Sequence, residues 1–205
     1  TKVEGKLKMK SEDEKKYMYT SHMDFGREGT AMILAGKKAK PTVDAFSHQK
    51  FYEVMKYDIE LNKLGGDKIT FENPHSLVQQ YKIYGDNDYG FEWLLIFAPY
   101  KPKNSTGPKV HAPTATEYTV VRVSPTAKVL ERFTFNSPNS IWRVDQVYKS
   151  KEGKLVMFGP CNEKDDDYFQ SRGLYEEKKF KNFQVGSFQN GATEFMSVTS
   201  IDEFE

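Results

Sequence analysis

Apolar and polar residues alternate with a period of two through most of the chain, in short pieces separated by turn residues. Tyr17 to Phe25 (YMYTSHMDF) and Thr30 to Gly36 (TAMILAG) flank a turn at Gly26 to Gly29, a hairpin signal. From Phe51 onward Tyr52 and Val54 alternate with Glu53 and Met55. The Gly65-Gly66-Asp67 cluster is then expected to turn the chain back into Lys68 to Phe71. Asn73-Pro74 is expected to end that strand, since proline cannot continue a central ladder. Gln79 to Tyr84 and Phe91 to Phe97 read as the next hairpin, around Asp86-Asn87-Asp88-Tyr89-Gly90. Tyr100 to Thr116, with Pro102, Pro108 and Pro113, reads as an exposed loop.

The cycle then restarts. Glu117 to Val123, Val129 to Phe135, Ile141 to Tyr148 and Leu155 to Phe158 are strands, with turns at Ser124 to Lys128 and Lys151 to Gly153. Phe183 to Phe188 and Glu194 to Thr199 form a last hairpin. No segment keeps a helical period over a useful length. Asp58 to Lys63 suits a single turn of helix, and Tyr168 to Lys181 is the best longer candidate, weakened by Gly173.

The stretch Phe135 to Pro160 repeats Phe71 to Pro99. Tyr52 matches Tyr118, Phe71 matches Phe135, Pro74 matches Pro138, Ser76 matches Ser140 and Leu77 matches Ile141. Leu94 to Pro99 lies over Leu155 to Pro160, and Gly29 to Ala35 over Gly153 to Gly159. The turn glycines Gly29, Gly90 and Gly153 are evenly spaced. Repetition of four short strands is the sequence pattern of a β-propeller blade. The expected fold is therefore all-β, with repeated four-stranded antiparallel units in a β-propeller-like arrangement of about three blades, alone or within a larger propeller. A two-sheet β-sandwich is the alternative. The units fall at 17–50 (partial), 51–116, 117–182 and 183–205 (partial) of a single repeat domain, 1–205.

The text EYTVVRVSPTAKVLERFTFNSPNSIWRV, then YKSKEGKLVMFGP and the closing FQVGSFQNGATEFMSVTSIDEFE, resembles the blades of large, uncharacterised exported proteins of Bacteroidetes. The resemblance spans Phe51 to Glu205. It implies a propeller-like fold outside the cytoplasm and a binding or scaffold role, although such proteins are usually longer.

Composition narrows the classes. With 30 basic and 29 acidic residues the net charge is +1, so no basic footprint for nucleic acid is present. Aromatic residues reach 14%, which suits half-buried strands and disfavours disorder. No apolar run approaches the ~20 residues of a membrane helix. The chain begins at Thr1 without Met and reads as a processed product whose export signal has been removed. The expected location is the periplasm, the outer surface or the medium.

Candidate chemistry is sparse. Cys161 is the single cysteine and reads as a buried small hydrophobe. His22, His48, His75 and His111 are scattered without the spacing of a zinc motif. Asn162-Glu163 and Asp165-Asp166-Asp167 offer oxygen ligands, but without the spacing of a calcium loop they read as a solvated acidic loop. The Asp86 to Gly90 turn reads the same way. Asn104-Ser105-Thr106 is formally a glycosylation acceptor. Trp93 and Trp142 sit in strand-like runs and read as core. No catalytic residue, cofactor site or metal site is assigned.

The reading is a non-enzymatic module of an exported or cell-surface assembly that binds protein or glycan. Missing blades or another chain are expected to cover any open flank. The runner-up is a carbohydrate-active hydrolase with carboxylates drawn from several blades. Function is expected where the copies differ: the Asp86 to Tyr89 turn, the proline loop and the acidic loop.

Overall fold

A computed structural model describes residues 18–37, 49–85, 90–101, 112–113, 117–139, 142–162 and 180–204. The described chain is all-β and antiparallel, closed by one 3-10 turn at Ile201–Phe204. Its strands are β1 (Met18–Phe25), β2 (Ala31–Lys37), β3 (Gln49–Tyr57), β4 (Lys63–Ile83), β5 (Glu92–Lys101) and the two-residue β6 (Ala112–Pro113). They continue as β7 (Glu117–Val123), β8 (Val129–Asn136), β9 (Gln146–Lys149), β10 (Leu155–Cys161), β11 (Asn182–Gln189) and β12 (Ala192–Ser200).

An eight-stranded sheet runs in the order β1-β2-β3-β4-β5-β7-β8, with β6 on β5. A second sheet runs β12-β11-β10-β9. The ladder crosses the expected border between units 51–116 and 117–182, because β5 pairs with β7 across it. The sheets do not close into a ring, so the plain description is an all-β fold of antiparallel sheets.

Two expectations about β4 fail for related reasons. Gly65-Gly66 is not a turn; both glycines lie inside β4, opposite Lys56 and Met55. A Cβ on Gly65 would stand 2.5 Å from the Thr126 carbonyl oxygen, and one on Gly66 2.9 Å from that of Val54. These glycines admit a neighbouring backbone. The chain actually reverses at Asp58 to Asn62, where a turn of helix was expected. Nor does Asn73-Pro74 end the strand. Residues 63–70 pair with β3, His75 pairs with both Gln49 of β3 and Pro99 of β5, and residues beyond it pair with β5, so the proline sits in the unpaired stretch just before β4 changes partner and owes no ladder bond.

That change of partner folds the large sheet over on itself. Its first half (β1, β2, β3, start of β4) and second half (end of β4, β5, β7, β8) act as two four-stranded layers. Between them lies a core of Met32, Leu34, Tyr52, Val54, Ile69 and Phe71 from the first layer against Trp93, Leu95, Phe97, Val121 and Val123 from the second. The opposite face of the second layer, with Leu94, Ile96, Ala98, Tyr118, Val120, Phe133 and Phe135, packs on Trp142 and Val144, just before β9, and on Leu155, Met157, Cys161 and Phe188 of the third layer, β9 to β12. The strand β5 is thus buried on both faces. Each large apolar side chain so enclosed contributes roughly 1.5–3 kcal/mol relative to exposure.

Similar pairs recur in the ladders of the three layers. Leu34 pairs with Val54, Ile96 with Val120 and Phe158 with Val185. Tyr52 pairs with Ile69, Tyr118 with Phe135 and Phe183 with Thr199. Ile96 therefore corresponds to Phe158, whereas the aligned sequence lays it over Met157. A slip of one residue exchanges the two faces of a strand, so the register matters.

Four turns share one geometry, in which the first residue bonds the fifth and its carbonyl accepts from the fourth: Gly26–Thr30, Asp58–Asn62, Ser124–Lys128 and Ser150–Lys154. Such a loop needs a left-handed fourth residue. Gly29 and Gly153 supply it with φ of 82° and 85°, but Leu61 (66°) and Ala127 (61°) occupy the same place in the other two. Gly90 does not belong to this set. Asn190-Gly191 closes the last hairpin with both residues left-handed.

Candidate functional site

The link between the two halves of β4 carries a recess. A crevice of about 530 Å³ opens there, lined by Thr70, Phe71, Glu72, Asn73 and His75 of β4, Glu117 and Thr119 of β7, and Arg132 and Thr134 of β8. Phe71 is its floor. The His75 ring stacks on Phe71 at 4.0 Å and 16°. The Arg132 guanidinium also packs over the Phe71 ring, 4.5 Å from its centre, and donates to the Thr70 carbonyl at 2.6 Å. The Thr119 and Thr134 hydroxyls are bonded at 3.0 Å.

His75 is buried, 8% exposed. Its Nδ1 lies 2.8 Å from the Asn73 carbonyl oxygen, which only accepts, so Nδ1 carries the proton and Nε2 keeps its lone pair. Burial lowers the pKa of the imidazole; Asn73 and Glu117 pull the other way and Arg132 adds to the lowering. The crevice thus offers a neutral imidazole, a guanidinium, two carboxylates and two hydroxyls. These groups can hydrogen-bond a polar ligand, and Nε2 can accept a proton.

A second polar feature ties the layers together. Glu92, 7% exposed, accepts from Arg122 at 2.7 Å and from Lys149 at 2.5 Å, while Arg122 also reaches Glu131 at 2.7 Å. Burial alone would depress the Arg122 pKa, but its bonds to Glu92 and Glu131 hold it above the usual value. Among the described residues the Arg122 Nε has no hydrogen-bond partner. With its carboxylate held by two cations, Glu92 serves as a cross-layer bridge.

The residues singled out from the sequence scatter. Cys161 is fully buried in the core between the second and third layers, and burial pushes its thiol up to about 11 despite a bond from Asn139. Trp93 and Trp142 are 0% and 3% exposed, each in a different core, and neither indole N–H has a partner among the described residues. His22 lies in β1 opposite Leu34. His48, His111, the Asp86 to Tyr89 turn, Asn104 to Thr106, the acidic residues after Asn162 and most of the Tyr168 to Lys181 segment lie outside the described residues. Among the described residues no three His, Cys, Asp or Glu side chains gather as a metal site, and no helix is long and apolar enough to cross a membrane.

The crevice escaped the sequence because its parts come from residues far apart in the chain. One signal was present. In the repeat, Phe71 to His75 overlies Phe135 to Asn139, so His75 is a point of difference between copies. At the equivalent place in the second copy, the Ser137 hydroxyl bonds Gln184 at 2.9 Å and the buried Gln184 amide donates to Met196.

Exposed apolar side chains lie elsewhere, among them Phe25, Ile59, Leu64 and Leu130. Tyr148 and Phe195, 62% and 54% exposed, stand on the outer face of β9 to β12, the face turned away from the core. Comparison with known protein families, with curated proteins and with solved structures finds no match.

Proposed function

We propose that the chain is a non-enzymatic binding and scaffold module of propeller-like, four-stranded units, working outside the cytoplasm and engaging protein or glycan. The observation that carries this reading is the asymmetry of the three layers. The second is covered on both faces, while the third covers its neighbour with one face and presents Tyr148 and Phe195 on the other. A stack that presents Tyr148 and Phe195 on the outer face of its third layer is suited to docking. The ion pairs around Glu92 support the same reading, since they spend buried charge on holding layers together.

A second reading has one observation in its favour. Glu72 and Glu117 line the same crevice as His75, as a hydrolase drawing carboxylates from neighbouring units would require. A panel of aryl glycosides, assayed with the wild type and with Glu117→Gln and Glu72→Gln, separates the two. The binding-module reading expects no turnover above the uncatalysed rate. Hydrolysis abolished by either substitution would establish the enzyme instead.

A further inference from the structure

In the first layer Met32, Leu34 and Val54 are 1%, 0% and 0% exposed, because the second layer covers them. Their register equivalents in the second layer, Leu94, Ile96 and Val120, are 0%, 1% and 0% exposed beneath the third. In the third layer the same positions are Val156, Phe158 and Val185, and all three are part-exposed. Tyr148 pairs with Val156 on this face, and Phe195 pairs with Ser187, the other neighbour of Val156. One row of side chains across all four strands is therefore Tyr148, Val156, Ser187 and Phe195. The Lys154–Glu194 ion pair at 2.7 Å is balanced, and Glu194 also accepts from Ser187 at 3.1 Å.

What covers these positions in both earlier layers is the same object: a four-stranded antiparallel sheet entering with aliphatic and aromatic residues of its central strands, such as Leu95 and Val121, or Met157 and Phe188. We propose that the face formed by Tyr148, Val156, Phe158, Val185 and Phe195 receives a further four-stranded antiparallel sheet of this repeat. The proposal rests on the reading of the chain as a stack of repeated layers. A second copy of the chain is a poor donor of that sheet. Its own entering residues Ile33, Ala35, Met55 and Tyr57 are already covered, at 4%, 0%, 3% and 7% exposure.

The test supplies the sheet in cis, where a high effective concentration favours docking. A second copy of residues 137–205 is appended to the full chain, with isoleucine at its valines so that its peptides differ in mass. Hydroxyl-radical labelling read by mass spectrometry then reports on the original Tyr148, Phe158 and Phe195. Their labelling is expected to fall several-fold relative to the unextended chain. Persistent labelling overturns the proposal, whether the appended copy folds or not. In the unextended chain, Phe158→Lys is expected to leave the urea midpoint unchanged and the chain monomeric in sedimentation. A midpoint drop of the size seen for a core substitution would mean that the face is already packed within the chain. A dimer that Phe158→Lys abolishes would place a second copy there; either result sinks the proposal. Glycoside hydrolysis would overturn the binding-module reading without moving these labels, so the two failures are distinguishable.

Discussion

The side-chain amide of Gln79 pairs with the backbone of Val144 in both directions, its Nε2 donating to the Val144 carbonyl and its Oε1 accepting from the Val144 N–H, each at 3.2 Å. The amide imitates a strand edge and so docks the third layer onto the second without a shared ladder. The Tyr81 hydroxyl donates to the same carbonyl. Gln79→Ala leaves the Val144 N–H without its partner and is expected to cost about 1–3 kcal/mol. Gln79→Glu keeps the acceptor and loses the donor, so the Val144 N–H stays paired. Urea unfolding of the two variants should rank wild type above Glu above Ala, and equal stability of all three would remove this bond from the account.

His75 makes stability depend on pH. Burial lowers its pKa below the usual 6.5, so the unfolded chain takes up a proton first as the pH falls. Folding stability is then lost from about pH 6.5 downward, until the folded-state pKa is passed. His75→Asn, the residue at the matching place in the second copy, is expected to flatten that part of the profile. Urea midpoints from pH 7.5 to 5 for both proteins read the difference directly. Parallel profiles would show that His75 does not contribute.

The left-handed residues of the four matching turns make a comparison within one molecule. Leu61 holds φ of 66° while 39% exposed, so it bears backbone strain with little packing in return. Leu61→Gly is expected to stabilise by about 1 kcal/mol. Ala127→Gly should gain less, because its methyl group is fully buried. Gly153→Ala should lose about 1 kcal/mol, with open space around it and φ of 85°. Thermal unfolding of the three variants tests the order.

Cys161 should be inert until the core opens. A thiol raised from about 9 to about 11 has roughly 100-fold less thiolate near neutral pH, and burial blocks approach as well. Alkylation by iodoacetamide should be slow in the native protein and rapid in urea. Comparable rates in both conditions would contradict the burial of this side chain.

Much of the strand order was legible because turns announce themselves locally. Gly26 to Gly29, Ser124 to Lys128 and Gly153 all mark reversals that the structure contains. Where the sequence misled, a residue's meaning depended on a distant neighbour. Gly65 and Gly66 look like a turn until Thr126 and Val54 are brought beside them. Pro74 looks like a stop until β4 is seen to change partners there. The crevice was illegible for the same reason, since Phe71, Glu117 and Arg132 meet only after the large sheet folds over. Laying Leu94 to Pro99 over Leu155 to Pro160 puts β5 and β10 one residue away from the pairing of Ile96 with Val120 and of Phe158 with Val185, and that single step decides which side chains face a core.

Because β4 is at once the last strand of one layer and the first of the next, assembly has a direction. Each newly synthesised hairpin finds the edge of the preceding one already in place, and most pairings join strands adjacent in the chain. Such nearest-neighbour contacts keep loop-closure costs low and favour rapid formation. The chain can therefore fold as it leaves the ribosome, layer upon layer from its amino-terminal side. Among the described strands, the outer face of β9 to β12 is the one formed last.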